Sequence, residues 1–239
     1  MGELMFGEVA DNLLLMLVCY LYILLMIFIS SKMGRFLDIS RKTSRKFLHA
    51  MIGNLPFIMT FFTTNLYPTL VAAPFILVTF LASPVSPFKS LRTKLSGLAD
   101  ITEEGHHLGL VFYAISYTVL AWLFGTRSYV VAAGILPMAY GDSLASLIGE
   151  KYGRRKYRLV ASKSLEGSIA MFLGSFLSLA VSMVFFIQFY PLSLFGLVLP
   201  VFCASLIATL VEGFSLKGFD NVTVPFFSVI GFVLFSGGI

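Results

Sequence analysis

The residues in this sequence best suited to chemistry are charged side chains within or beside apolar segments. Asp142 lies inside such a segment, five residues after Pro137. Placing a bare charge at membrane depth costs at least ~2.5 kcal/mol, which makes Asp142 a functional candidate. Pro137 removes a helix hydrogen bond and predicts a kink one turn before the aspartate. The alternative interpretation of Asp142 is a structural ion pair with a lysine from a neighbouring helix.

A second group of polar residues crowds the predicted start of a helix. Its members are Lys163, Ser164, Gly167 and Ser168. Free backbone N–H groups and the helix dipole attract phosphate at such a position. Glu166 lies in the same turn, and an acidic residue beside a phosphate suggests a bridging metal ion.

A basic run precedes this helix start. It includes Lys151, Arg154, Arg155 and Arg158. Basic residues beside a membrane commonly anchor the topology or bind anionic lipid headgroups, and that interpretation stays open beside a role in phosphate binding.

Three further oxygen ligands follow, namely Glu212, Asp220 and Asn221. Aspartate and asparagine at a helix start can serve as a simple N-cap. Together with Asp142 and Glu166 they would instead form an oxygen-rich Mg²⁺ site.

Two other polar clusters are less specific. Arg45, Lys46 and His49 share one face of a predicted helix. A second cluster contains Glu103, Glu104, His106 and His107, without a spacing typical of a metal site. The sequence has neither a G-x-x-x-x-G-K-[ST] loop nor the protein-kinase motifs, so nucleotide chemistry would need another scaffold.

Composition indicates what positions these residues. Of the 239 residues, 58% are hydrophobic and 12% are charged. A soluble domain is about 45–50% apolar and about 25% charged, so lipid must surround most of these side chains. The net charge of +5 is explained by membrane topology, and no nucleic-acid partner is expected.

Eight apolar segments are long enough to be considered membrane spans, and the last is the weakest. They cover residues 12–30, 47–64, 67–83, 108–124, 129–148, 168–189, 191–211 and 222–239. Because unpaired backbone groups are costly in hydrocarbon, each span should be a helix. We predict an all-α, polytopic integral membrane bundle of seven or eight helices. Residues 1–239 would form one catalytic domain, with the helix at about residues 12–30 as a candidate peripheral element.

The basic residues predict the orientation of this bundle. If the chain crosses the membrane eight times, 16 of its 17 lysines and arginines lie in loops on one face, and Arg127 lies on the other. The positive-inside rule places those loops, and the polar clusters, in the cytosol.

Small residues at helical spacing predict which helices pack closely. Gly141, Ala145 and Gly149 form one stripe, and Ala170 and Gly174 begin another. Such stripes let membrane helices approach one another.

Several motifs together resemble the dolichol kinase and phytol kinase family, whose members phosphorylate lipid alcohols with CTP. The similar segments are Gly141-Asp-Ser-Leu-Ala-Ser-Leu-Ile-Gly149, Lys163-Ser-Leu-Glu-Gly-Ser168, and Glu212 followed by Asp220-Asn221-Val-Thr-Val-Pro225. Arg45-Lys-Phe-Leu-His49 is similar to the family's early basic-histidine motif. The likeness runs from about the second span to the C-terminus.

The resemblance implies a CTP and Mg²⁺ site. It implies catalytic roles for Asp142, Lys163 and Asp220, and metal ligands among Asp142, Glu166, Glu212, Asp220 and Asn221. Residues 149–167 look like a CTP-binding loop. Nucleotide contacts would come from Lys46, His49, Ser143, Ser146, Lys151, Arg154, Arg155, Arg158, Ser164, Glu166, Gly167 and Ser168.

The expected reaction forms a lipid monophosphate and CDP from CTP and a long-chain isoprenoid alcohol such as dolichol, a polyprenol or phytol. Either Asp142 or Asp220 would accept the alcohol proton. A cytidylyltransferase that makes a CDP-lipid and releases pyrophosphate is the nearer alternative. A transporter that uses Asp142 as an ion or proton site is the more distant one. The sequence does not indicate an oligomeric state.

Overall fold

A computed structural model describes residues 2–36, 40–95, 108–160, 162–216 and 218–237 of the chain. Most of this part is helical, which confirms the all-α class. The helices are α1 (Gly2–Phe36), α2 (Arg41–Ile52), α3 (Leu55–Met59), α4 (Leu66–Ala82), α5 (Lys89–Lys94), α6 (Gly109–Phe124), α7 (Ser128–Leu136), α8 (Asp142–Tyr152), α9 (Leu165–Phe186), α10 (Leu194–Phe214) and α11 (Asp220–Phe235). A π-helical turn, Pro137–Gly141, joins α7 to α8, and strands β1 (Lys156–Arg158) and β2 (Ser162–Ser164) form a hairpin. The acidic and histidine cluster at residues 103–107 lies outside the described residues.

Length and composition mark the chain as a membrane protein. Within the described ranges, four helical stretches are long and apolar enough to cross a bilayer: Gly7–Met33, Ser128–Tyr152, Leu165–Phe186 and Leu194–Phe214. Helices α4, α6 and α11 are apolar but shorter. A crossing takes about 20 residues, so the count of seven or eight crossings stays a prediction.

The predicted second span, residues 47–64, is wrong as one continuous helix. Helix α2 ends at Ile52, and the separate helix α3 has only 5 residues. Pro56 lies in the first turn of α3, where its missing N–H does no harm, and it favours a new helix start. Gly53 lets the break pack against the bundle, because a Cβ there would lie 2.5 Å from Cβ of Ala139.

At the position of the predicted kink, Pro137–Gly141 form a π-helical turn in which all residues but Tyr140 are buried. Every residue of α7, which precedes the turn, is buried. Helix α9 packs closely beside the turn, where a Cβ on Gly174 would lie 3.2 Å from Cα of Gly141. The prediction that the two helices with small-residue stripes pack closely in the bundle is therefore confirmed.

Neutral polar side chains join the helices at one end of the bundle. Thr60, Ser128 and Tyr190 form a hydroxyl chain with oxygen separations of 2.8 and 2.9 Å. Asn12 and Thr63 exchange two hydrogen bonds, of 2.8 and 3.1 Å. The ion-paired residues considered next gather at the opposite end of the bundle.

Candidate active site

A polar cavity of about 480 Å³ lies at the end of the bundle that carries the ion-paired residues. Its walls come from α2, α8, the hairpin, and the nearby ends of α9, α10 and α11. The basic residues that line it are Lys42, Arg45, Lys46, Lys156 and Lys163, and the acidic ones are Asp142, Glu150, Glu212 and Asp220. The cavity thus combines many cations with several carboxylates.

A buried ion pair between Lys46 of α2 and Asp142 of α8 forms the floor of this cavity. The side chains are only 7% and 11% exposed, so water screens the two charges weakly. Ser143 fastens the two helices beside the pair, since its hydroxyl donates to Ala139 O at 2.6 Å and lies 3.3 Å from Lys46 O. The structure thus shows the ion pair with a lysine of another helix that was the alternative interpretation of Asp142. Both residues of the pair also line the cavity, so the role of Asp142 in the site stays a prediction.

The hairpin carries Lys163 to a second ion pair, with Glu212 at the end of α10. Antiparallel pairing sets Tyr157 opposite Lys163, and Leu165 N donates to Arg155 O at 2.9 Å. Although burial opposes the charged form, the Glu212 carboxylate outweighs it and raises the pKa of Lys163 above its ordinary value. Lys163 is therefore a cation at neutral pH.

Two side-chain contacts fix the hairpin on α9. The Tyr157 and Ser168 hydroxyls lie 2.6 Å apart. Both Glu166 carboxylate oxygens accept from Arg155 N, at 3.2 and 3.3 Å. Glu166 is thus occupied in holding the base of the hairpin.

The N-terminus of α9 contributes a further surface of the cavity. Ser164 caps the helix by accepting from Gly167 N at 3.1 Å, and Gly167 and Ser168 line the cavity. Helix α8 approaches closely at this point, since a Cβ on Gly149 would lie 3.1 Å from Ser164 Oγ and 3.5 Å from Gly167 Cα. Backbone N–H groups at such an N-terminus favour anionic ligands.

A smaller cavity of about 20 Å³ adjoins the floor. Asp220 and Asn221, at the start of α11, line it together with His49, Lys46 and Asp142. Asn221 Nδ2 donates to Gly218 O at 3.3 Å, whereas the buried Asn221 Oδ1 has no hydrogen-bond partner in the described part of the chain. The same is true of His49 Nε2. Two buried polar atoms are therefore left for a ligand.

The structure brings most of the predicted site residues together. The large cavity is lined by Lys46, Asp142, Ser146, Lys163, Ser164, Gly167, Ser168, Glu212 and Asp220. His49 and Asn221 line the small one. Of the predicted residues, these do not line either cavity: Ser143, Lys151, Arg154, Arg155, Arg158 and Glu166. Their nucleotide and metal roles stay predictions.

Sequence reasoning assigned no individual role to several residues that line the cavity, although two of them lie in the predicted CTP-binding loop. Lys42 lies four residues before Lys46, and that spacing on a helix could have identified it. Lys156 and Ser162 depend on the pairing of β1 with β2, which a hairpin prediction would have supplied. Ser215 follows α10 and carries no recognisable sequence signal.

The oxygen donors suit Mg²⁺ held jointly with phosphate. No three His, Cys, Asp or Glu side chains within the described ranges form a ready-made metal site. Asp142 and Asp220 nevertheless line both cavities, and the unpartnered Asn221 Oδ1 lies beside them. Mg²⁺ is commonly bound by one or two carboxylates together with substrate phosphates, so this donor set fits it.

Comparison with known proteins gives relatives with consistent names. The chain is 38% identical over 144 residues to a phytol kinase of Synechocystis sp., which covers 59% of the chain and 60% of the relative. It is 30% identical over 131 residues to a chloroplastic farnesol kinase of Arabidopsis thaliana, covering 53% and 43%. It is 27% identical over 157 residues to a CTP-dependent diacylglycerol kinase of Eremothecium gossypii, covering 60% and 49%. The chain thus spans less than two thirds of the length of these relatives.

No protein-family model and no solved structure matches the chain. Over 53–60% of its length, the chain is similar to phytol, farnesol and CTP-dependent diacylglycerol kinases.

Proposed function

We propose that this chain transfers the terminal phosphoryl group of CTP to the primary hydroxyl of an isoprenoid alcohol, forming a lipid monophosphate and CDP. The observation that carries the proposal is one cavity, at the end of an apolar bundle, that holds the Lys46–Asp142 and Lys163–Glu212 ion pairs together with Asp220. The names of the phytol and farnesol kinases support an isoprenoid alcohol. The diacylglycerol kinase supports CTP as the donor.

The size and charge of the cavity suit a nucleoside triphosphate. Its volume, about 480 Å³, falls within the range of about 300–1,000 Å³ typical of small-molecule sites. Five basic side chains and the N-terminus of α9 offer positive charge and N–H donors to the phosphates. Phosphoryl transfer depends mainly on positioning and charge neutralisation, and this lining can supply both.

The charged residues of the floor have distinct proposed roles. Lys163, which is charged at neutral pH, would neutralise the transferring phosphoryl group. Lys46 would hold Asp142 in place and share its charge with the phosphates. A carboxylate, Asp142 or Asp220, would accept the alcohol proton, because both line the large and the small cavity.

We further propose Mg²⁺ as the cofactor, held by Asp142, Asp220 and Asn221. When bound, it would neutralise charge on the nucleotide phosphates. The side chains of this chain would orient the donor and acceptor around it.

The proposed membrane arrangement follows from the distribution of charge. The ion pairs and the hairpin lie at one end of the bundle, and the loops at that end carry nearly all of the basic residues. We propose that the chain crosses the membrane several times with this end in the cytosol, where CTP is available. The isoprenoid tail would remain in the bilayer.

The direct test is a transfer assay with purified protein in detergent, Mg²⁺, and γ-labelled CTP or ATP. Phytol, farnesol, a long polyprenol and diacylglycerol would be offered in parallel. We expect label in a lipid monophosphate with CTP but not with ATP. α-Labelled CTP should yield labelled CDP. In a parallel reaction that offers a phosphorylated lipid, a labelled CDP-lipid and free pyrophosphate would instead identify a cytidylyltransferase. No transfer with any alcohol would refute the kinase proposal.

A further inference from the structure

An apolar cavity of about 70 Å³ lies next to the small polar one. It is enclosed by α1, α2, α3, α4 and α6, and its walls include Ile23, Leu48, Ala72, Phe75 and Ala114. His49 and Leu110 line both the apolar cavity and the small polar cavity. The small cavity in turn shares Asp142 and Asp220 with the large one. Through these shared lining residues, the apolar cavity adjoins the small polar cavity, which in turn adjoins the proposed nucleotide site.

His49 is the polar side chain at this junction. It is only 5% exposed, and its Nε2 has no hydrogen-bond partner among the described residues. Its ring is held edge-on against Tyr113 with centroids 4.0 Å apart, and the Tyr113 hydroxyl donates to His49 O at 3.1 Å. A buried, unpaired polar atom costs free energy unless a ligand satisfies it.

The tyrosines of the apolar cavity do not compete for such a ligand. The Tyr113 hydroxyl is bound to His49 O, and the Tyr117 hydroxyl donates to Ile52 O at 3.1 Å. Both tyrosine protons are therefore already donated to the backbone, whereas His49 Nε2 has no partner among the described residues and can bind a hydroxyl. A ligand with one hydroxyl and a hydrocarbon chain matches this arrangement.

We infer that the apolar cavity binds the hydrocarbon next to the hydroxyl of the lipid alcohol, and that His49 Nε2 hydrogen-bonds that hydroxyl and aims it at the phosphate site. This inference rests on the proposed function and adds the acceptor subsite to it. His49 is then an acceptor-binding residue, in contrast to the nucleotide contact implied by the family resemblance.

The first test fills the apolar cavity. Ala72→Leu adds three carbons to its wall, and Ala10→Leu makes the same change on the exposed face of α1. We expect Ala72→Leu to raise KM for the alcohol about 10-fold or more while KM for CTP stays unchanged. Ala10→Leu should change neither constant. Equal alcohol KM values in wild type and Ala72→Leu would overturn the subsite.

The second test separates the shape of the histidine from its nitrogen. His49→Phe keeps an aromatic ring against Tyr113 but removes Nε2, and His49→Gln restores a hydrogen-bonding group. We expect kcat/KM for the alcohol to fall about 10-fold or more in His49→Phe and to recover partly in His49→Gln, while KM for CTP changes little in both. Wild-type turnover in His49→Phe would show that Nε2 is not needed to bind the alcohol, and would overturn its proposed role.

A binding measurement keeps the inference independent of turnover. A farnesol analogue with a diazirine close to its hydroxyl end is irradiated with the protein, and the labelled peptides are identified. We expect labelling of the α4 and α6 segments that contain Ala72 and Ala114, competed by unlabelled farnesol. Labelling confined to exposed faces would overturn the subsite even if CTP-dependent transfer occurs. Labelling here without any transfer would leave the subsite standing and refute the proposed kinase activity.

Discussion

Replacing Asp142 with asparagine removes one charge of the buried pair with Lys46. Because the two side chains are 7% and 11% exposed, the remaining lysine charge would be left in a weakly hydrated place. Breaking a buried pair in this way costs about 3–5 kcal/mol. If the carboxylate also serves in catalysis, turnover should fall about 100-fold or more. We therefore expect Asp142→Asn to lose both stability and activity.

A double variant separates these two effects. Lys46→Met with Asp142→Leu removes both charges, and replacing a buried pair with apolar residues is often neutral or stabilising. We expect the double variant to recover most of the lost free energy of unfolding but none of the activity. The measurements are denaturant unfolding of purified protein in mixed micelles, and CTP-dependent phosphorylation of farnesol.

The matched control for stability is the Lys42–Glu150 pair. Its side chains are 28% and 57% exposed, and pairs of that kind contribute about 0–1 kcal/mol. Glu150→Gln should therefore destabilise the protein far less than Asp142→Asn. Equal losses in the two variants would refute the argument from burial. Recovered activity in the double variant would reduce the Lys46–Asp142 pair to a structural role.

Three further predictions concern the hairpin and the opposite end of the bundle. Glu212 raises the pKa of Lys163, so the charged lysine persists below that pKa and is lost as pH rises through it. Glu212→Gln should therefore move the alkaline loss of activity to lower pH in a pH–rate profile. An unmoved profile would contradict this. Gly153→Ala would place a Cβ 2.1 Å from Gly149 O, so the hairpin should shift. CTP-dependent phosphorylation of farnesol should then fall about 10-fold or more, whereas wild-type turnover would show that this packing is unimportant. Tyr190→Phe removes the hydroxyl that contacts Ser128, so the free energy of unfolding should fall by about 0.5–1.5 kcal/mol while turnover stays unchanged. A loss of turnover would show that this end of the bundle is coupled to the active site.

Some of the site was predictable because its signals are local. An aspartate within an apolar segment identifies Asp142 without any knowledge of its neighbours, and the polar cluster from Lys163 to Ser168 indicates the start of α9. The small-residue stripe through Gly141 likewise predicted the contact with α9. Each of these signals depends on residues only a few positions apart.

Other predictions failed or missed residues because long-range packing decided them. Residues 47–64 are apolar enough to suggest one span, but the chain breaks after Ile52 so that Gly53 can pack against Ala139. The metal and nucleotide roles of Glu166 stay predictions, and the contact that periodicity could not show is the one its carboxylate makes with Arg155 N. Contacts between residues distant in sequence are invisible to periodicity and composition.

The sequence by itself determined that this protein is helical and has the composition of a membrane protein. Composition suffices for this, because hydrocarbon accepts few charges and requires backbone hydrogen bonds to be satisfied within each helix. Only the tertiary structure decided which charges meet. Lys46 and Asp142 are 96 residues apart, and Lys163 and Glu212 are 49 residues apart, so helix packing had to bring each pair together. The same packing placed the unpaired nitrogen of His49 between an apolar cavity and a charged one.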